Sequence, residues 1–91
     1  MKTKLAAARA LVYETAALMD ANSPEADEYA AMAKLQATEA AQFCADKCLT
    51  IHGGVGCTTA CTAERIYRDA HAARIYDGTT EILKLIVARS L

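Results

Sequence analysis

Ile75-Tyr76-Asp77-Gly78-Thr79-Thr80-Glu81-Ile82 joins a turn to the start of a helix. Asp-Gly is a common turn dipeptide because glycine adopts a positive φ without steric cost. Thr79 or Thr80 can cap the helix that follows, and Glu81 in its first turn interacts favourably with the helix dipole. This pattern predicts a last helix that ends near Arg89. It also places the Asp77 carboxylate on a tight turn, where a carboxylate can act as a base.

Two longer helices are predicted before this turn. The first spans about Thr3 to Asp20, where apolar residues recur at intervals of three and four. Ser23 as N-cap and Pro24 at the first helical position predict a second start. This second helix runs toward Ile51, and Gly53-Gly54 ends it.

Residues 53–61 are predicted to be irregular, and a third helix follows from about Thr62 to Ala73. Four antiparallel helices with short loops predict an all-α fold, a four-helix up-and-down bundle. The apolar stripes expected to face its core are Leu5, Ala8, Leu11, Val12, Thr15, Leu18 and Met19 in the first helix, Ala63, Ile66, Tyr67 and Ala70 in the third, and Ile82, Leu83, Leu85, Ile86 and Leu91 in the fourth.

The composition limits the functions that need to be considered. Ninety-one residues make one domain, and 54% hydrophobic residues with no Trp and one Phe favour closely packed helices. A net charge of −1 disfavours nucleic acid and anionic membranes as partners. The first 21 residues resemble neither an export signal nor a spanning helix, so a cytoplasmic location and reduced cysteines are expected.

Three blocks in order carry a family resemblance: Thr50 to Gly56, Glu64 to Ala70, and Ile75 to Ile82. Their order and spacing resemble the C-terminal helical domain of the flavin-dependent acyl-CoA dehydrogenases, enzymes of fatty acid β-oxidation. The resemblance implies that residues 1–91 form this domain alone, without the N-terminal helical and middle β-domains. FAD would then be shared with those domains or with a neighbouring subunit, and the isolated chain is expected to be inactive.

The resemblance also implies roles for residues around the turn. Asp77 stands where the family usually has a glutamate that removes the α-proton of an acyl-CoA thioester. Tyr76 and Gly78 would lie against the substrate. The residues implied to contact FAD are Thr79, Thr80 and Glu81 after the base, and Thr50, Ile51, His52, Gly53 and Gly54 from a neighbouring subunit. Thr50 replaces the glutamine that is common in the family.

Simpler interpretations exist for each of these features. Asp77 can be a turn residue or helix cap, Thr79 an N-cap, and the double glycine a helix stop. Arg65, Arg68 and Asp69 are interpreted as a polar network between helices or subunits, or as a solvated charged face.

Cysteine and histidine spacing raises the question of a metal site. Cys44, Cys48 and His52 share one helical face, and Cys57 and Cys61 repeat the spacing. The positions from Cys44 to His52 span about 12 Å along the helix, which is too far for all three side chains to bind one ion, so no metal site is predicted.

The partners implied by the resemblance are an acyl-CoA substrate, other acyl-CoA dehydrogenase subunits or domains in a homo- or hetero-oligomer, and an electron-transferring flavoprotein. The alternative function is a non-catalytic helical module for oligomerisation or interaction, because Asp77 replaces the usual glutamate and the chain is short.

Overall fold

The computed structural model describes residues 1–91 and contains four α-helices and no strand. The helices are α1 (Lys2–Asp20), α2 (Ala26–His52), α3 (Thr62–Ala72) and α4 (Thr80–Ala88). A short 3-10 helix, Gly53–Cys57, follows α2. The predicted all-α class and the number of helices are therefore confirmed. None of the helices has both the length and the apolar character needed to cross a membrane.

The start of α2 lies further along the chain than predicted. The first helical residue is Ala26, not Pro24. Ser23 still organises the start, because its Oγ accepts a hydrogen bond from the Glu25 amide (3.3 Å) and its carbonyl accepts one from Ala26 (3.1 Å). A turn at residues 24 and 25 thus precedes the helix. Part of the stretch predicted to be irregular is also ordered, as the 3-10 helix.

Helices α1 and α2 form an antiparallel hairpin of small residues. The Thr15 hydroxyl donates a hydrogen bond within α1 to Leu11 O (2.8 Å) and lies 3.2 Å from Tyr29 O on α2. Near the other end, Lys4 Nζ lies 4.9 Å from the centre of the Phe43 ring. The buried apolar residues are almost all alanines, which let helix backbones approach closely: Ala8, Ala31, Ala33, Ala40, Ala45, Ala63 and Leu83.

Helix α2 is the central element of the fold. The other three helices each contact α2 and do not contact one another. Arg74, after α3, meets Glu39, and Ser90, after α4, meets Glu28, so both helices run antiparallel to α2. The predicted up-and-down alternation therefore needs correction at α4, which runs in the same direction as α3. The cause is that the turn 73–79 displaces the chain along α2 without reversing it.

Several apolar side chains predicted to face the core are exposed instead. Leu5 is 53% exposed, Met19 58% and Leu85 55%. The others are Val12, Ile66, Ile82, Ile86 and Leu91. The physical reason is that α1 and α4 pack against α2 only, and α3 against α2 and the short 3-10 helix, which covers only part of each apolar stripe. An apolar groove of about 520 Å³ also lies between α1 and α2, lined by Leu5, Val12, Tyr13 and several alanines.

Candidate functional site

The turn between α3 and α4 presents the Asp77 carboxylate at the surface. The amides of Ile75 and Tyr76 both donate to Ala72 O, at 2.9 and 3.2 Å, and close the end of α3. Asp77 then has φ 55° and Gly78 has φ 96°. A positive φ is uncommon for residues with a side chain, although aspartate tolerates it better than most. Such a conformation costs about 1–3 kcal/mol and persists only where the surroundings hold it.

Lys34 on α2 provides one such contact. Its Nζ donates to Tyr76 O at 3.0 Å and also to Gly78 O, the carbonyls on either side of Asp77. The same Nζ lies 6.0 Å from the centre of the Tyr76 ring. The sequence interpretation missed Lys34, because its partners are 42 and 44 residues away. The only signal for it was a charge within the alanine-rich second helix.

Arg74 anchors the same turn at its upstream end. Its Nη2 and Nε lie 2.8 and 2.9 Å from Glu39 Oε1 on α2, in an ion pair that is partly shielded from solvent. The Arg74 carbonyl accepts the Thr80 amide at 3.0 Å. The turn is therefore fixed to α2 on both sides of Asp77. The sequence interpretation also missed Glu39 and Arg74.

The two threonines after the turn differ in their contacts. Thr79 is the N-cap of α4, as predicted, and its Oγ1 accepts the Ile82 amide at 3.3 Å. Thr80 is 3% exposed, and its hydroxyl points to Arg74 O. Glu81 lies exposed in the first turn of α4. Thr79 and Glu81 thus lie on the side of the turn that faces solvent, whereas Thr80 lies on its buried side.

We expect Thr79→Ala to lower the free energy of unfolding by about 1 kcal/mol, because the cap to the Ile82 amide is lost. Urea denaturation followed by far-ultraviolet circular dichroism measures this. Thr79→Ser keeps the hydroxyl and is the matched control. Equal stability of the alanine and serine variants would contradict the capping role.

The double glycine forms an exposed corner at the end of α2. Gly53 ends the helix with φ 64°, as the predicted helix stop requires. A Cβ built on Gly53 or Gly54 would have no atom within 4 Å, so the backbone here faces open space. The other residues of the predicted FAD contact, Thr50, Ile51 and His52, are exposed as well. His52 Nδ1 lies 2.8 Å from Cys48 O, which orients the ring along the helix.

The predicted site residues therefore form two groups. The turn group, which Lys34 of α2 contacts at Tyr76 and Gly78, comprises Tyr76, Asp77, Gly78, Thr79, Thr80 and Glu81. The corner group, residues 50–54, lies at the end of α2. Lys34 and His52 are 18 positions apart on this helix, which corresponds to about 27 Å. One chain does not bring the two groups together.

The cysteines and the charged face of α3 carry no comparable site. All four cysteines are free, and no three side chains of His, Cys, Asp or Glu are placed to hold a metal ion. Arg68 pairs with Glu64 at 2.7 Å, and Arg65 lies 3.6 Å from Asp69. Both ion pairs lie within α3, and Glu64 is half-buried, so these pairs do not join α3 to another helix of this chain. A contact of this face with another subunit stays a prediction.

Comparison with known proteins identifies the family of this chain. The family model "Acyl-CoA dehydrogenase, C-terminal domain" matches residues 1–91. The chain is 50% identical to the acryloyl-CoA reductase (NADH) of Anaerotignum propionicum, over all of this chain and 23% of that protein. It is 45% identical to the human mitochondrial short-chain specific acyl-CoA dehydrogenase, over all of this chain and 22% of that protein.

A solved structure shows the same fold. It is described as "Electron transferring flavoprotein of Acidaminococcus fermentans: Towards a mechanism of flavin-based electron bifurcation", and one of its chains superimposes with a TM-score of 0.91 at 39% identity. The match covers 99% of this chain and 23% of the other. The chain thus spans less than a quarter of the relatives that it matches. On its sequence and its fold, the chain belongs to the acyl-CoA dehydrogenase family and corresponds to its C-terminal helical domain.

Proposed function

We propose that this chain supplies the C-terminal helical part of an FAD-dependent acyl-CoA oxidoreductase, with Asp77 as the catalytic base. The observation that carries the proposal is the exposed Asp77 carboxylate on a turn of positive φ that α2 holds on both sides. A general base must be held within reach of the proton that it removes. The anchored turn supports that requirement.

In the proposed reaction, Asp77 takes the α-proton of an acyl-CoA thioester while a double bond forms between the α- and β-carbons. FAD, when bound, supplies the acceptor for the hydride that leaves the β-carbon. Aspartate is one methylene shorter than the usual glutamate, so the carboxylate reaches about 1.5 Å less far and depends more strongly on the position of the turn. Tyr76 and Gly78, on either side of the base, are proposed to contact the thioester.

The reaction can also run toward reduction. Protonated Asp77 would then give a proton to the α-carbon of a 2-enoyl-CoA, and reduced FAD, when bound, would supply the hydride that the β-carbon takes up. The 50% identity to an acryloyl-CoA reductase supports this direction, and the similarity to a short-chain acyl-CoA dehydrogenase supports the other. The same carboxylate serves both because general acid and general base are the two protonation states of one group.

The FAD contacts are proposed to come from two chains. Thr79 and Glu81, with Thr80 behind them, border the turn at a helix N-terminus, which favours an anionic or polar group. The corner formed by residues 50–54 is open, and Gly53 and Gly54 allow close approach to the backbone. Because this corner lies about 27 Å along α2 from Lys34, we assign it to the flavin of a neighbouring subunit.

The remaining proposed partners are the other parts of the enzyme and a redox protein. The chain spans 23% of a matched relative, and we propose that most of the FAD and acyl-CoA contacts come from other polypeptide segments or subunits. The exposed apolar stripes and the groove between α1 and α2 fit such neighbours. An electron-transferring flavoprotein is the proposed redox partner, supported by the matched structure that carries this name.

We expect the isolated 91-residue chain neither to bind FAD tightly nor to oxidise acyl-CoA. The test mixes the purified chain with FAD, an artificial electron acceptor and acyl-CoAs of increasing chain length. The native protein that carries this chain is assayed in parallel as the positive control. Turnover by the isolated chain would contradict this prediction, and no turnover by the native protein would contradict the proposed function.

A second candidate is a helical interaction module without catalysis. It is favoured by the exposed apolar faces and by aspartate in place of the usual glutamate. Size-exclusion chromatography with detection of flavin absorbance separates the two candidates. A self-associated protein that stays colourless with FAD and its partners present would favour the module.

A further inference from the structure

The peptide groups around Asp77 lack backbone partners of their own. The carbonyls of Tyr76 and Gly78 accept no backbone hydrogen bond, since the bonds of this segment end on Ala72 O, Arg74 O and Thr79 O. The hydrogen bond to Gly78 O is partly buried, where a carbonyl normally has a partner, whereas the one to Tyr76 O is exposed. Here the partner of both carbonyls is one ammonium group, Lys34 Nζ.

This arrangement fixes two neighbouring peptide planes at once. Asp77 lies between the two carbonyls, and both Asp77 and Gly78 have a positive φ. If the carbonyls were released, the turn could relax to more common backbone angles, and the carboxylate would move with it. A single donor that bridges the two carbonyls therefore determines the direction in which Asp77 leaves the backbone.

Lys34 lies within the 27-residue helix α2, which contacts all the other helices. The Glu39–Arg74 ion pair holds only the upstream end of the turn, whereas Lys34 contacts the residues directly adjacent to Asp77. No salt bridge joins Lys34 to the Asp77 carboxylate itself. The lysine thus acts on the backbone and leaves the carboxylate free for substrate.

We propose that Lys34 is a positioning residue, which sets the place and direction of the Asp77 carboxylate by bridging the Tyr76 and Gly78 carbonyls. Its catalytic consequence rests on the function proposed above for Asp77. The bridge itself does not, because it is a contact within this chain. Lys34 has no contact with the reacting atoms and is not a catalytic residue.

Lys34→Met in the native protein tests the proposal, because methionine is unbranched and only one atom shorter than lysine but has no donor. Lys47→Met is the matched control, since Lys47 lies on the same helix and pairs only with the neighbouring Asp46 and the Phe43 ring. Amide hydrogen exchange of residues 74–80, followed by mass spectrometry, should become faster in Lys34→Met and stay unchanged in Lys47→Met. Unchanged exchange in Lys34→Met overturns the proposal, whatever happens to activity.

Steady-state kinetics provide the second measurement. We expect kcat to fall about tenfold in Lys34→Met, with little change in KM, because a displaced base slows proton removal more than substrate binding. The kinetic isotope effect with α-deuterated acyl-CoA should rise, and Lys34→Arg should recover part of kcat. The positioning role would be overturned if the activity of Lys34→Met fell only in proportion to the fraction of folded protein and the isotope effect stayed unchanged. If amide exchange becomes faster in Lys34→Met but the wild-type protein has no acyl-CoA turnover, the bridge is supported and the proposed function is contradicted.

Discussion

Asp77→Asn is expected to lower acyl-CoA turnover about a thousandfold in the native protein that carries this chain, a loss within the range for a removed general base. Asparagine has nearly the same shape as aspartate and also tolerates a positive φ, so the turn at Asp77 should persist. It cannot accept the α-proton. The loss should therefore be in kcat, measured with an artificial electron acceptor at saturating acyl-CoA.

Two further variants test whether the loss of turnover is specific to the Asp77 carboxylate. Asp69→Asn is the matched control, because Asp69 is exposed and only faces Arg65 at 3.6 Å; it should keep full turnover. Asp77→Glu restores the residue that the family usually has and extends the reach by about 1.5 Å, so it should keep at least a tenth of the activity. If Asp77→Asn retains turnover within tenfold of wild type, Asp77 is not the base.

Gly56→Ala is expected to lower the free energy of unfolding by about 2 kcal/mol, as for other overpacked buried positions. Gly56 is buried where the 3-10 helix folds back on α2. A Cβ there would lie 2.8 Å from Leu49 O and 3.0 Å from His52 Cβ, and the first of these is a backbone atom that cannot rotate away. Urea denaturation of the native protein, followed by far-ultraviolet circular dichroism, measures the loss.

Gly54→Ala is the matched control two positions earlier. A Cβ on Gly54 meets nothing within 4 Å, and its φ is not positive, so its stability should change by less than about 1 kcal/mol. If the corner approaches a flavin of a neighbouring subunit, Gly54→Ala should nevertheless release FAD more readily, measured by the flavin absorbance that remains after gel filtration. Gly54→Ala with unchanged stability and unchanged FAD content would contradict the proposed cofactor contact. Equal stability of the Gly54 and Gly56 variants would contradict the close packing at Gly56.

The features that could be predicted from the sequence are those with local causes. Thr79 caps α4, Gly53 ends α2 and Asp77-Gly78 forms a turn, because each depends on hydrogen bonds and φ values within a few residues. The family resemblance had the same origin, since it rested on three short blocks in order. At Ser23 and Pro24 the local prediction was wrong by two residues, because a turn at residues 24 and 25 precedes the helix.

The features that required the structure depend on residues far apart in the chain. The direction of α4, the exposure of Leu85 and the ion pair between Glu39 and Arg74 follow from how each helix is placed on α2. A hydrophobic stripe shows that a helix face can be buried, but not whether a neighbour covers it.

The amino-acid sequence by itself determined the four α-helices, most of their ends and the position of the carboxylate on its turn. Only the tertiary structure decided that Lys34 bridges the carbonyls beside Asp77 and that the double-glycine corner lies far from that base. The physical reason is that capping and turn formation are encoded within a few residues, whereas a contact across 42 or 44 residues depends on the rotation and separation of packed helices.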